Sequence, residues 1–481
     1  MASQGTSSPK IHVLAFPVPG QGHITPMMHL CKKIAARDGF TVSFVNVDSL
    51  HDEMIKHWRA PSNTDLRLVS IPLSWKIPHG LDAYTLTHSG EFFKTTIEMI
   101  PSLEHLVSKL SLEISPVRCI ISDYFFFWTQ DVADKFGIPR IVLWPGSAAW
   151  TTIEYHIPEL IAGGHVFPSL TEAKKLVADE SIVDIIKGLG PLHQADVPLY
   201  LQADDHLWAE YSVQRVPYIR KASCVLVNSF YDLEPEASDF MAAELRKGGT
   251  EYLSVGPMFL LDEQTSEIGP TNVVLRNEDA ECLRWLDKQE KASVLYISFG
   301  SIAVVTVEQF EELAVGLEAI GKPFLWVLRP ELLIGNPVEK YKEFCERTSK
   351  QGFTVSWAPQ LRVLKHPSIA AHLSHCGWNS VLESISNGVP LLCWPWGAEQ
   401  NTNAKLVIHD WKIGAGFERG ANGLIGRGDI EKTLREVMDG ERGKQMKDTV
   451  EVLKCKARKA VESGGRSAAS LDGFLKGLSS Q

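Results

Sequence analysis

Short apolar runs recur along the chain, each closed by a turn of glycine, proline or polar residues and followed by a stretch with helical spacing. Ile11 to Pro17 (IHVLAFP) predicts a buried strand; VPGQGH then forms a loop, and a helix follows with Thr25 as its cap and Pro26 in its first turn. Thr41 to Val47 predicts a second strand. Cys119 to Ser122, a helix over Thr129 to Phe136, and Arg140 to Leu143 repeat the rhythm. Such alternation predicts an α/β fold on a parallel sheet wound with helices. Strands at Cys224 to Asn228 and near Tyr252 to Pro257 close a first domain, placed at 10–256. The acidic, aperiodic stretch 257–279, with its Gly269-Pro270 pair, reads as a linker. A second domain, 280–459, has the same rhythm: Val294 to Phe299, a turn at Gly300-Ser301, a helix near Glu308 to Ile320, and a strand at Phe324 to Leu328.

The pattern is most informative from Trp357 to Gln400, WAPQLRVLKHPSIAAHLSHCGWNSVLESISNGVPLLCWPWGAEQ. A strand (Ile369 to Ser374), a glycine-containing turn, a short helix (Asn379 to Ser386), a stop at Gly388 and another strand (Pro390 to Trp394) place two polar clusters beyond strand carboxyl ends, where open α/β sheets bind ligands. Backbone amides around Gly377 to Ser380 suit a diphosphate, because they open the positive end of the helix. His375, Asn379 and Ser380 add donors there, and Ser301 ends another strand where its hydroxyl could reach a phosphate or merely shape a turn. Glu383 lies one turn below Asn379 on the same helical face, placed to accept both hydroxyls of a ribose. Trp357 offers a flat plate to a base, with Ala358 beside it, and Gln360 offers a donor and an acceptor to an imide edge. Glu399 and Gln400 match the hydroxyl rim of a hexose.

These forty-four positions resemble the signature box of the plant-type UDP-dependent glycosyltransferases of small molecules, from the first Trp to the last Gln. The resemblance implies that Trp357 and Gln360 hold uracil, Glu383 the ribose, His375, Asn379 and Ser380 the phosphates, and Trp378, Glu399 and Gln400 the sugar. Gln400 at the final position and Trp378 look like the glucose-using pattern. It also implies two facing Rossmann-like doubly wound domains of the GT-B type with a cleft between them, and a last helix, about 460–478, packing back on the first domain.

A second constellation lies in the first domain. His23 follows the first strand and Asp123 ends the strand at Ser122, so two carboxyl ends of one sheet can bring them together. A neutral imidazole can serve as a general base, and a carboxylate on its other nitrogen would fix the tautomer. By themselves the two residues also suit a turn or cap and a helix start. PGQGHITPMMHL and SDYFFFWTQDVADKFGIPR, however, resemble the catalytic-His and catalytic-Asp segments of the same family. The implied reaction is inverting transfer of a hexose, glucose first, from a UDP-sugar to a hydroxyl of a hydrophobic small molecule, phenolic or similar. No D-x-D pair accompanies the box, so metal independence is expected, with no cofactor beyond the UDP-sugar co-substrate. One departure stands out: where the family often carries a Thr that helps hold the sugar's 6-hydroxyl, this chain reads Trp144-Pro145-Gly146-Ser147. Either Ser147 substitutes or the contact is missing.

Composition narrows the alternatives. A net charge of -10 over 481 residues argues against a nucleic-acid partner. Eight cysteines without a CxxC pair and no apolar leader point to the cytoplasm, and no run reaches the length of a membrane helix, so a monomer free of membranes is expected. Phe92, Phe93, Phe125, Phe126, Phe127, Trp144, Trp150, Tyr155, Trp208 and Tyr211 are dense enough to suggest a greasy acceptor cleft. Two rival readings remain. One is a nucleotide-sugar binder without turnover; the other takes Gly20-Gln21-Gly22 and Asp48 as a dinucleotide fingerprint, although Thr25 occupies the place of its third glycine.

Overall fold

A computed structural model describes residues 10–58, 61, 64–73, 90–166, 182–202, 206–263, 281–300, 305–329, 333–335 and 338–480. Two parallel sheets organise them, one in each of two compact units. The first unit contains the described residues up to Gln194, those from Leu201 to 263, and those from Lys459 onward; Ala195–Tyr200 and the described residues from 281 to Arg458 form the second.

In the first unit the strands are β1 (Ile11–Phe16), β2 (Phe40–Val47), β3 (Leu66–Ile71), β4 (Val117–Asp123), β5 (Arg140–Trp144), β6 (Cys224–Val227) and β7 (Glu251–Ser254), in spatial order 3-2-1-4-5-6-7. The second unit repeats the scheme with β8 (Val294–Ser298), β9 (Phe324–Val327), β10 (Gly352–Val355), β11 (Ile369–Ser374), β12 (Leu391–Cys393) and β13 (Gly414–Gly416), in order 10-9-8-11-12-13. Both are the doubly wound order in which the chain direction across the sheet reverses between first and fourth strands, and that reversal opens a crevice at their carboxyl ends. The expected fold class, α/β with two Rossmann-like units, is what the chain adopts.

Strands β1, β2 and β5 are buried almost throughout, as expected of parallel strands covered on both faces. In the second unit Trp326, Phe310, Phe324 and Phe344 stack at the heart of the core. No helix among the described residues is long and apolar enough to cross a membrane.

Three local readings need correction. Helix α1 runs over Gln21–Ala35, beginning four residues before Thr25, with extended Gly20 as its cap. Pro26 therefore sits in its second turn, where its missing N–H leaves one early carbonyl without a helical donor. The stretch read as a linker starts with a helix, Met258–Glu263, which packs on α1; 264–280 lies outside the described residues. The aromatics read as a cleft wall pack mostly as core, Phe125 beside His23 being the exception. Phe92, Phe125, Phe126, Phe127, Trp144, Trp150, Tyr155 and Tyr211 are all buried, and they pack on one another, as Trp144 does on Trp150 at 5.2 Å. The side chains of Phe93 and Trp208 fall outside the described ones.

Candidate active site

Register explains the first constellation. β1 pairs with β4 so that Phe16 faces Ser122, and the next residue, Asp123, emerges at the crevice. His23 stands in the first turn of α1, directly after β1, and its Nδ1–H donates to Asp123 Oδ2 over 2.7 Å. The Asp123 carboxylate is fully buried and accepts the Phe125 N–H at its other oxygen, 3.1 Å away, so it cannot swing. Nε2 is thus the nitrogen left to meet a substrate, and about a fifth of the imidazole side chain, 21%, reaches solvent. Phe125 lies beside the ring at 5.5 Å. Behind the carboxylate sits the buried Arg140 guanidinium, which donates to Ser122 and Thr129. Burial pulls Arg140 down to about 10, and the Asp123 charge opposes that.

Ser147 is excluded as a sugar contact. It caps helix α2 (Ala148–Tyr155), accepting the Trp150 N–H at 3.0 Å, and none of it reaches solvent. Gly146 before it is required by packing, since a Cβ there would lie 2.1 Å from the Trp150 ring.

The second constellation uses the matching position of the other sheet. Ser298 of β8 faces Ser374 of β11, and the next residue, His375, emerges at the crevice. Cys376 follows in the left-handed region at φ 65°, held by its N–H to Ser374 Oγ at 3.1 Å, and turns the chain into helix α3 (Trp378–Asn387). A non-glycine residue in that region stores strain, which persists where the surroundings over-determine it. The His375 ring is sandwiched between Gly300 and Gly377; a Cβ on either would come within 2.6 or 2.4 Å of Nε2. Burial, the larger cause, pushes this imidazole down to about 4. It is therefore neutral at pH 7. Its Nδ1 is buried and has no hydrogen-bond partner among the described residues, and the ring packs against Gly377, where α3 begins. With its one proton on Nδ1, a neutral ring at a helix start suits an anion.

Gln360, at the start of the short helix Gln360–Leu364, reaches across to Ser380 and Glu383 of α3 and ties the site together. Its Nε2 donates to Ser380 Oγ at 2.9 Å and to Glu383 Oε2 at 2.6 Å, while its Oε1 accepts from the Tyr296 hydroxyl at 3.1 Å. Burial raises Glu383 to about 7, and the Gln360 hydrogen bond opposes the rise. Trp357 is half-buried, Ala358 packs into the core, and Asn379 is half-buried in the first turn of α3. The Trp378 ring is buried against Trp411 at 6.2 Å, which leaves its backbone amide as what it can offer a sugar. Glu399 Oε1 accepts from Asn403 Nδ2 at 3.2 Å, and the same amide donates to the Cys376 carbonyl at 2.9 Å. Gln400, which opens helix α4 (Gln400–Lys405), accepts the Trp396 and Gly397 N–H groups at Oε1, so its NH₂ end is the part left for a ligand. Ser301 lies outside the described residues. No group of three or more His, Cys, Asp or Glu among the described residues is placed to hold a metal.

Tyr296 and Asn403 belong to these sites and were missed from the sequence, whereas Phe125, one of the aromatics read as a cleft wall, does lie beside His23. Asn403 could have been noticed, because it lies four residues after Glu399 and so on one helical face with it. Gly377 gives a direct test of the sandwich around His375. Gly377→Ala is expected to lower stability in chemical denaturation by about 1–3 kcal/mol through overpacking, and to weaken UDP binding in the same preparation.

Residues 265–453 match the family model described as UDP-glucoronosyl and UDP-glucosyl transferase. UDP-glycosyltransferase 85A2 of Arabidopsis thaliana is 34% identical over 474 residues, covering 94% of each chain. A 7-deoxyloganetin glucosyltransferase of Gardenia jasminoides is 34% identical over 479 residues, covering 96% of each. Among solved structures, Phytolacca americana UGT2, complexed with UDP-2fluoro-glucose and pterostilbene, superposes with a TM-score of 0.79 at 27% identity, over 98% of this chain and 100% of that one.

Proposed function

This chain belongs to the plant-type UDP-dependent glycosyltransferases, which join a sugar from a UDP-sugar to a small molecule, and from that premise we propose that it transfers glucose, with inversion, to a hydroxyl of a hydrophobic acceptor such as a phenolic. The observation that carries this reading is the His23–Asp123 pair at 2.7 Å. His23 Nε2 takes the acceptor's proton as the acceptor oxygen bonds to the anomeric carbon. The bond from that carbon to the diphosphate breaks on the opposite face, its electron pair leaving on the β-phosphate oxygen. Asp123 steadies the imidazolium that forms. Negative charge gathering on UDP meets the first amides of α3, the neutral His375 and Ser380, donors fixed before the reaction begins.

Glucose is supported by the Gln400 and Trp378 pattern and by the activity in the name of the Gardenia relative; a flat apolar acceptor is supported by the pterostilbene in the Phytolacca complex. An intact base and orienting carboxylate favour turnover over binding alone. The dinucleotide reading of Gly20-Gln21-Gly22 falls with family membership. We also read the reaction as metal-independent, because neutral donors suffice at the diphosphate, and the protein as cytoplasmic, because all eight cysteines are free thiols. The test is a mass-spectrometric screen of UDP-sugars against pooled phenols, terpenoids and hormones, run with and without EDTA. A glucoside with β configuration, formed equally in both, is expected. An α-linked product, or a yield restored by magnesium alone, would refute the mechanism.

A further inference from the structure

Between Gln194 and Leu201 the chain departs from the first unit and lends six residues, Ala195–Tyr200, to the second. Thr402 Oγ1 donates to the Asp196 carbonyl at 2.6 Å, Asn401 Nδ2 donates to the Ala195 carbonyl at 3.0 Å, and the Leu199 N–H donates to the Ala398 carbonyl at 2.8 Å. Val197 between them is fully buried and seats the segment with an apolar anchor. From this arrangement we infer that 195–200 is a strap that positions the sugar-recognition loop, with Thr402 as a positioning residue for donor-sugar discrimination. The inference rests on the donor-site reading above.

The loop that the strap grips is held in an unfavourable shape. Ala398 has φ +51°, a left-handed conformation that costs an alanine about 1–2 kcal/mol. It persists because the loop is fixed from both sides: Leu199 takes its carbonyl, and Gln400 takes the two N–H groups just before it. Glu399 follows immediately, its carboxylate steadied by Asn403 from one turn further on. Releasing the strap lets Ala398 relax to negative φ, which turns Glu399 and Gln400 away from the hexose rim. Trp357, Gln360, Ser380 and Glu383 share none of the three strap bonds, so the uridine and ribose contacts should be untouched.

Thr402 is fully buried, and valine has nearly its shape, so Thr402→Val removes the hydroxyl with little change in packing. Losing one such hydrogen bond corresponds to about a 2- to 10-fold effect. Thr402→Val is therefore expected to raise KM for UDP-glucose by about that factor and to narrow the preference for UDP-glucose over UDP-galactose, which differ in the direction of one ring hydroxyl. The Kd for UDP should not move, and Thr402→Ser should restore the wild-type sugar preference. An unchanged glucose-to-galactose ratio, or a matching loss of UDP affinity, would overturn the strap's role and leave a merely structural contact. If Thr402→Val does not fold, Asn401→Ala, which removes a more exposed bond, should shift the ratio in the same direction, and no shift overturns the inference. Wild-type protein that fails to bind UDP would instead sink the donor-site reading.

Discussion

His23→Ala is expected to lower kcat by about 10²- to 10⁴-fold while leaving the affinity for UDP unchanged. His23 lies in the first unit, and the residues proposed to hold uridine and diphosphate lie in the second, so removing the imidazole takes away the base and nothing of that binding surface. Asp123→Asn should come close to the same loss for a different reason. Asn can still accept the Phe125 N–H at Oδ1, but the group facing His23 Nδ1 becomes an amide whose N–H can donate to it. The ring is then held with its proton on Nε2, the nitrogen that must accept one. In a Ser-His-Asp triad that exchange costs about 10⁴. Because the two residues act as one device, the double variant should be little worse than His23→Ala. One control is needed. The Asp123 charge also supports the buried Arg140 cation, so Asp123→Asn should lower Tm whereas His23→Ala should not. Rates are therefore compared well below both melting points. Undiminished turnover in His23→Ala, or a loss that tracks UDP affinity, would remove His23 from the chemistry.

Both constellations were legible for one geometric reason. Runs such as Ile11–Phe16, Val117–Asp123 and Ile369–Ser374 announce parallel strands, and in a doubly wound sheet the carboxyl ends of the first and fourth strands converge. His23 with Asp123, and His375 with the start of α3, occupy that same place in their respective sheets. Residues acting through contacts that cross sequence distance were not legible. The strap 195–200 bonds to residues some two hundred positions away, and no periodicity marks it. Composition misled at the aromatics, because density along the chain says nothing about whether rings face a ligand or one another. Tyr124 shows which outcome holds, its ring 3.8 Å from that of Trp144. The start of α1 was misjudged because Thr25-Pro26 is a strong local signal for a helix start, and a glycine with no side-chain cap at position 20 is a weak one.

Glu383 carries the other large effect. Its carboxylate is the acceptor proposed for the ribose hydroxyls, and hydrogen bonds to a charged group contribute roughly 1.5–3 kcal/mol, so Glu383→Ala should weaken UDP binding by about 10- to 100-fold. Its titration supplies a second signature. Burial raises the carboxyl from 4.5 to about 7, so near neutral pH a substantial fraction is protonated. Ribose hydroxyls donate, and they favour the ionised form, so UDP affinity should rise between pH 6 and 8 as the proton is lost. Binding at pH 7 should then release a proton, seen in calorimetry as a heat that differs between buffers of unlike ionisation enthalpy. Stability without UDP runs the opposite way. Below 4.5 the carboxyl is protonated whether the chain is folded or not; between 4.5 and about 7 the unfolded chain ionises first, so folding weakens as pH rises, and above about 7 the cost is constant. That cost is roughly 3 kcal/mol. Glu383→Gln keeps a neutral amide in the same space and should remove both dependences together, its advantage in Tm over wild type growing from pH 5 to pH 8. UDP affinity that stays flat across that range in wild type, with no buffer-dependent heat, would mean the ribose does not rest on Glu383.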